Sequence, residues 1–129
     1  RIDAMRCKEE EAYKCRDYLH RRSLRKQAGR KSATNRENEM STFTTGCRRK
    51  MCEWSFHVID FYRADRSIVA NAFDILDRFL DGCDCDRTVF KLASITSLYI
   101  ASKFHSQRHL SLKALAELSS GDFNENHFK

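Results

Sequence analysis

The feature that most constrains the fold is the run Thr88–Ser102, TVFKLASITSLYIAS, in which Lys91 is the only charged residue. A surface helix normally has an apolar stripe and a charged face, and this run has almost no charged face. It is shorter than the roughly 20 apolar residues that a membrane-spanning helix needs. Asp86 can cap its start, and Lys103 complements the partial negative charge at its end. The run therefore predicts a buried central helix, around which the rest of the chain packs.

Composition and periodicity predict an all-α fold. The chain has 129 residues, no proline and only four glycines, so helix-breaking residues are scarce. Apolar residues recur with helical spacing over Cys47–Tyr62 and Ser67–Asp81, and Ser111 can cap a short helix that follows the central one. Asp122 and Glu125 have the spacing of a capping box, which predicts a fifth helix that is still incomplete at Lys129. We expect five helices with one of them buried, preceded by a long N-terminal helix.

Charge is distributed unevenly along the chain. Residues 1–50 contain fifteen Lys or Arg and seven Asp or Glu, whereas residues 51–129 contain nine and eleven. We therefore divide the chain into a basic N-terminal helix (1–28), a linker rich in polar residues (29–45) and a helical domain (46–129). The basic pairs Arg21-Arg22 and Arg30-Lys31 fit either a nuclear-import or nucleic-acid patch or a solvated helix face. The second interpretation is favoured, because charge runs usually form solvated faces and no aromatic residues alternate with these.

No pattern typical of a metal site or an enzyme is present. The six cysteines form no Cys-x-x-Cys pair, so we expect reduced thiols that act as small apolar residues. The acidic turn DGCDCD at 81–86 lacks the spacing and terminal Glu of a calcium-binding EF-hand. The five histidines are scattered, without a nucleophile–base spacing or a glycine-rich phosphate loop. Since neither a signal peptide nor a membrane span is recognisable, we expect a soluble intracellular protein without cofactor or metal.

Three motifs resemble the cyclin family. They are CRRKMCEW at 47–54, LDRFLD at 76–81 and KLASITSLYIASKF at 91–104. On these motifs the stretch from Cys47 to Lys129 resembles the N-terminal cyclin box, ending before the fifth box helix is complete, and the preceding helix resembles the cyclin N-terminal helix. The resemblance implies the all-α cyclin fold.

The resemblance assigns roles to individual residues. It implies that Arg48 and Asp77 form a buried ion pair that joins the first two box helices. It implies that Lys103, with Phe104 and Leu92, contacts a cyclin-dependent kinase, and that Lys103 donates hydrogen bonds to backbone carbonyls at the end of the kinase's activation helix. Without the resemblance, Lys103 would be interpreted as a helix-capping lysine.

A substrate-docking patch is also implied by the resemblance. In cyclins this patch recruits proteins that carry Arg-x-Leu motifs, and its positions correspond here to Cys47, Lys50, Met51 and Trp54. Cys47 is smaller than the methionine that is usual in the family, and Lys50 is charged where an aliphatic residue is usual. The resemblance therefore implies a weakened or altered docking groove.

The family's known biology gives the functional expectation. The chain is expected to be a non-enzymatic regulatory subunit that activates a cyclin-dependent Ser/Thr kinase, controls cell-cycle progression and resides in the nucleus and cytoplasm. The alternative is a cyclin-fold transcription factor that binds nucleic acid and the transcription machinery, which the basic N-terminal third would favour. Against nucleic-acid binding, the box is slightly acidic where phosphate contacts would be needed.

Overall fold

A computed structural model of the chain describes residues 1–29, 44–105 and 110–119. The described residues form six helices and no strand, which confirms the all-α prediction. The helices are α1 (Ile2–Glu11), α2 (Tyr18–Gly29), α3 (Thr45–Phe61), α4 (Ser67–Gly82), α5 (Arg87–His105) and α6 (Leu112–Leu118). Most of the predicted linker, residues 106–109 and the predicted fifth box helix lie outside the described residues.

Helix α5 is the predicted central helix. Every residue from Phe90 to Ser102 is buried or partly buried, and the helix packs against α3, α4 and α6. Two of its hydroxyls bond within the helix: those of Ser94 and Thr96 donate to carbonyls one turn earlier at 2.7 and 2.8 Å. Because these hydroxyls are satisfied locally, a helix with several Ser and Thr residues can be buried without a desolvation penalty.

Helix α4 covers one side of α5 with an apolar face. All five residues predicted to face inward are buried, together with Ile68. Burying an aliphatic or aromatic side chain stabilises a fold by roughly 1.5–3 kcal/mol, so this face is a main contribution to the core. The predicted residues are Val69, Ala72, Phe73, Leu76 and Leu80.

Helix α3 packs less deeply than its apolar pattern predicts. Val58 and Ile59 are buried, whereas Met51 and Trp54 are partly buried. Tyr62, the last residue in the pattern, is 42% exposed because the helix ends at Phe61 and the Tyr62 ring packs edge-on against the Phe61 ring. The prediction that the apolar face of this helix continues to Tyr62 is therefore wrong.

Side chains near three helix starts accept hydrogen bonds from the backbone. Asp86 Oδ1 accepts from Val89 N–H at 2.7 Å, and Ser111 Oγ accepts from Ala114 N–H at 3.1 Å. Asp65 Oδ1 likewise accepts from an N–H in the first turn of α4, at 2.8 Å. These bonds satisfy N–H groups that have no partner inside a helix, which is why the helices begin where they do.

The N-terminal stretch is two helices and not the single long helix that its composition predicts. Helix α1 ends at Glu11 and has no buried residue. Helix α2 begins after Asp17, whose carboxylate accepts from His20 N–H at 2.9 Å. Tyr18, at the start of α2, is only 5% exposed. The break follows from this local cap together with the burial of Tyr18 against the helical domain, neither of which helix propensity measures.

Candidate functional site

Three helices meet at the carboxylate of Asp77 on α4. Arg48 from α3 binds it with both ends of its guanidinium fork, Nη2 to Oδ2 at 2.6 Å and Nε to Oδ1 at 3.1 Å. The Tyr18 hydroxyl from α2 donates to Oδ1 at 2.6 Å and accepts from Arg48 Nε at 3.2 Å. The guanidinium also lies 4.9 Å from the centre of the Phe73 ring, a cation–π distance. We call Tyr18, Arg48 and Asp77 the clasp.

The electrostatics of the clasp favour its paired state. Burial raises the pKa of Tyr18 above its ordinary value, and its hydrogen bond to Asp77 raises the pKa further, so the hydroxyl keeps its proton and remains a donor. The hydrogen bond to Asp77 raises the pKa of Arg48, which outweighs the opposing effect of burial. The Arg48 and Asp77 side chains are 28% and 25% exposed, so the pair is partly shielded from water.

The structure brings Arg48 and Asp77 together, as the family resemblance implies, but the participation of Tyr18 was not predicted. The sequence patterns described above assign no polar role to Tyr18. The missed signal was the position of Tyr18 directly after Asp17. Asp17 caps the start of α2 and so fixes Tyr18 in the first turn, and a buried tyrosine usually needs a hydrogen-bond partner for its hydroxyl.

The basic pair at Arg21-Arg22 binds the acidic end of α4. Arg21 forms an ion pair with Asp81, and Arg22 Nη2 donates to the Cys83 carbonyl at 3.1 Å. Arg22 also lies 3.5 Å from Asp84. Cations are favoured at a helix C-terminus, where the backbone carbonyls lack partners. The pair thus helps dock α2, a role that neither sequence interpretation included, although the acidic turn at 81–86 is a complementary partner.

The predicted kinase-contacting residues do not all lie together. Lys103 is exposed, with Nζ 4.7 Å from the centre of the Tyr99 ring, and Phe104 beside it is 83% exposed. Leu92 is partly buried and packs against the core. At 1.5 Å per residue, Leu92 lies roughly 16 Å along the helix from Lys103. Lys103 and Phe104 are exposed neighbours at the end of α5, which we call the α5 tip, and Leu92 lies outside it.

The four predicted docking-patch residues line one groove of about 620 Å³, between the N-terminal halves of α3 and α5. Met51 and Trp54 are partly buried and pack against the core as well, so they serve the groove and the fold together. Besides the four predicted residues, the groove is lined by Thr44, Gly46, Arg87, Phe90 and Lys91.

The groove contains the thiol of Cys47, whose pKa is lowered from its ordinary value. The Thr44 hydroxyl donates to its sulfur at 3.5 Å and, with the backbone contact to Thr44, lowers the pKa of the thiol. Arg87 and Lys50 lower the pKa further, whereas burial opposes them. The thiol is therefore more readily deprotonated than an ordinary cysteine.

Other kinds of site have no counterpart in the described part of the chain. The six cysteines are free thiols, and no group of three or more His, Cys, Asp or Glu side chains is placed to hold a metal ion there. Among the described helices, none combines the length and apolar character needed to cross a membrane.

Helices packed around a buried central one, with an arginine–aspartate pair joining two of them, agree with the fold that the resemblance to the cyclin box implies. The family profile described as "Cyclin, N-terminal domain" matches residues 14–129. The chain therefore belongs to the cyclin family. The cyclin domain is a regulatory fold and not a catalytic one, and it generally binds protein partners. No curated protein matches the chain significantly.

Proposed function

We propose that this chain binds and activates a cyclin-dependent Ser/Thr protein kinase and so regulates cell-cycle progression, acting in the nucleus and cytoplasm. The observation that carries the proposal is the α5 tip. There a lysine and a large aromatic side chain lie exposed at the end of a helix whose residues from Phe90 to Ser102 are buried or partly buried. An exposed apolar residue beside a cation, on a rigid support, is a suitable anchor for a protein partner.

The chemistry of Lys103 suits the end of a partner's helix. Its ammonium carries three donors on a flexible stem, and the last carbonyls of a helix carry partial negative charge without intrahelical partners. Phe104 would bury apolar surface beside that contact. The ring of Tyr99 lies under the ammonium and restricts the position of the Lys103 side chain, which lowers the entropy lost on binding.

Activation would be a shift in the kinase's conformation. A helix held inward by the α5 tip places its glutamate beside the lysine that orients ATP, and this ion pair is required for phosphoryl transfer. All catalytic groups then belong to the kinase. The contribution of this chain is rigidity, because α5 is fixed by its neighbours and the clasp joins α2, α3 and α4.

The proposal is tested by capture of cyclin-dependent kinases on the immobilised chain, followed by an assay of the captured kinase on a Ser/Thr peptide. Lys103→Glu should lower capture and stimulated activity at least tenfold, because a carboxylate would face helix carbonyls. Phe104→Ala should weaken capture through lost apolar contact. Lys50→Glu makes the same charge change on an exposed lysine of the groove and should leave capture unchanged. Equal capture by the Lys103→Glu variant and the original chain would refute the assigned contact.

The nucleic-acid-binding alternative gains no support from the described contacts. The basic residues Arg21 and Arg22, which would have favoured it, bind Asp81, Asp84 and a backbone carbonyl of the chain itself. A phosphate backbone would have to compete with these partners. We therefore do not propose it as a second function.

A further inference from the structure

The groove between α3 and α5 combines an apolar floor with a cationic border. Met51 and Trp54, which are partly buried, supply the accessible apolar surface above the buried Phe90, and Lys50, Arg87 and Lys91 supply three positive charges. None of the residues that line the groove is an Asp or a Glu. An occupant would therefore meet apolar contact and positive charge together.

Two of the three cations, Lys50 and Arg87, are not neutralised by a carboxylate within the described part of the chain, whereas the third, Lys91, has a backbone partner. Lys91 Nζ donates to the Ser119 carbonyl at 3.3 Å. Lys50 and Arg87 form no ion pair with any carboxylate in the ranges 1–29, 44–105 and 110–119. Arg49, next to Lys50 on the same helix, differs: it pairs with Glu53 at 3.7 Å and does not line the groove.

Cys47 also indicates that the electrostatic potential in the groove is positive. It lies in the first turn of α3, at the positive end of the helix dipole. Its thiol pKa is lowered first by Thr44 and then by the charges of Arg87 and Lys50. Those same two charges would attract an anionic ligand group in the groove.

We propose that this groove binds a segment of a partner protein in which a bulky aliphatic side chain is flanked by aspartate or glutamate. The aliphatic side chain would pack on Met51 and Trp54, and the carboxylates would pair with Lys50 and Arg87. An Arg-x-Leu segment would instead bring a guanidinium close to these cations, with no lining carboxylate to pair with it. Like charges at an interface reduce affinity and so determine which partner is rejected.

This binding does not depend on the proposed kinase contact. Arg87 is the first residue of α5, and Lys103 is near its last. At 1.5 Å per residue the two positions lie roughly 24 Å apart along the helix. The groove and the α5 tip can therefore be disrupted separately.

The test compares two fluorescent peptides of equal length that share one leucine, one with flanking Asp and Glu and one with Arg at the same positions. Binding to the whole chain is followed by anisotropy at low and at physiological salt. We expect the acidic peptide to bind about tenfold more tightly than the basic one, with an affinity that falls as salt rises. Equal affinities, a preference for the basic peptide or no binding of either would overturn the proposal.

Charge-reversal variants identify the residues responsible. Lys50→Glu combined with Arg87→Glu should remove the preference for the acidic peptide and reverse it towards the basic one. Arg49→Glu, the matched change outside the groove, should weaken acidic-peptide binding less than twofold, and Lys103→Glu should leave it unchanged. An equal loss from Arg49→Glu and Lys50→Glu would mean that net charge alone drives binding, which also overturns the proposal.

A third measurement needs no change in surface charge. The acidic peptide should slow the alkylation of Cys47 by iodoacetamide, measured by mass spectrometry after digestion, while the exposed Cys7 and Cys15 react at unchanged rates. Cys47 lines the groove, so an occupant that rests on Met51 and Trp54 should shield its sulfur. Unchanged alkylation of Cys47 at a saturating peptide concentration would place the peptide elsewhere and refute the proposed site.

Discussion

Arg48 Nη2 lies 2.6 Å from Asp77 Oδ2, and the other oxygen of the same carboxylate accepts from the Tyr18 hydroxyl, also at 2.6 Å. One carboxylate on α4 is therefore the common partner of α3 and α2. The N-terminal helix α2 is thereby joined to the interior charge network of the cyclin box, and its docking should respond to changes in either partner of the ion pair.

Breaking the Arg48–Asp77 pair should destabilise the chain. Asp77→Ala leaves the Arg48 guanidinium partly buried without its carboxylate. Fully buried pairs cost about 3–5 kcal/mol when one member is lost and exposed pairs about 0–1, so a partly shielded pair should cost about 2–3 kcal/mol. Urea unfolding followed by circular dichroism measures this change.

Arg49→Ala is the control, because it removes an exposed ion pair on the helix that carries Arg48, and it should cost less than about 1 kcal/mol. Similar losses for both variants would show that the Arg48–Asp77 pair behaves as a surface pair.

Tyr18→Phe keeps the buried ring and removes only the hydroxyl. The hydroxyl donates to a charged acceptor, so its loss should lower the free energy of unfolding by about 1.5–3 kcal/mol. Tyr62→Phe makes the same chemical change at an exposed ring and should change stability by less than about 0.5 kcal/mol. If the Tyr18 hydroxyl acts through Asp77, the effects of Tyr18→Phe and Asp77→Ala should not add in a double-mutant cycle.

The stability of the chain should fall in alkaline solution because of Tyr18. Its pKa is raised in the folded state above the ordinary tyrosine value of about 10, so above that pH the unfolded chain releases a proton that the folded chain retains. The contribution is fully present below about pH 10 and is lost as the pH rises towards the folded pKa. Urea midpoints measured between about pH 8 and 11 should therefore decline more steeply for the original chain than for Tyr18→Phe. Parallel declines would contradict the raised pKa.

Arg63 should be replaceable by glycine with a gain in stability. Its φ of 51° lies in the left-handed region, and Ala64 N–H donates back to the Ile59 carbonyl at 3.0 Å, a helix-ending arrangement that favours glycine. Relief of the backbone strain exceeds the entropy that glycine adds to the unfolded state, so Arg63→Gly should stabilise the chain by about 0.5–1 kcal/mol.

Arg63→Ala is the matched control, because it removes the charge but keeps the unfavourable backbone conformation. Its thermal unfolding should resemble that of the original chain, whereas the midpoint for Arg63→Gly should be higher. A higher midpoint for both variants would attribute the gain to charge and not to backbone strain.

The fold was largely predictable from local signals. The run that ends at Ser102, in which Lys91 is the only charged residue, predicted the buried helix. Apolar spacing predicted the inward face of α4, and the starts of α5 and α6 were predicted from Asp86 and Ser111. These signals act within one helix or one turn, so the sequence contains them directly. The single N-terminal helix was predicted wrongly, because helix propensity does not measure the burial of Tyr18 against a distant helix.

The candidate surfaces were predictable only in part. The docking-patch positions share one groove, but the addition of Arg87 and Lys91 to its border depends on how α5 packs beside α3. Leu92 was grouped with Lys103 by resemblance, yet helix geometry separates them along α5. Likewise, the charges of Arg21 and Arg22 are evident from composition, but their partners at Asp81 and Asp84 are known only from the packing of α2.

The sequence alone determined that the chain is helical, which helix is buried and where most helices begin, since hydrophobic period and capping are properties of neighbouring residues. The tertiary structure decided which charges neutralise each other and which remain to attract a partner. An ion pair depends on the distance between two side chains, and that distance is set when helices remote in the sequence pack together.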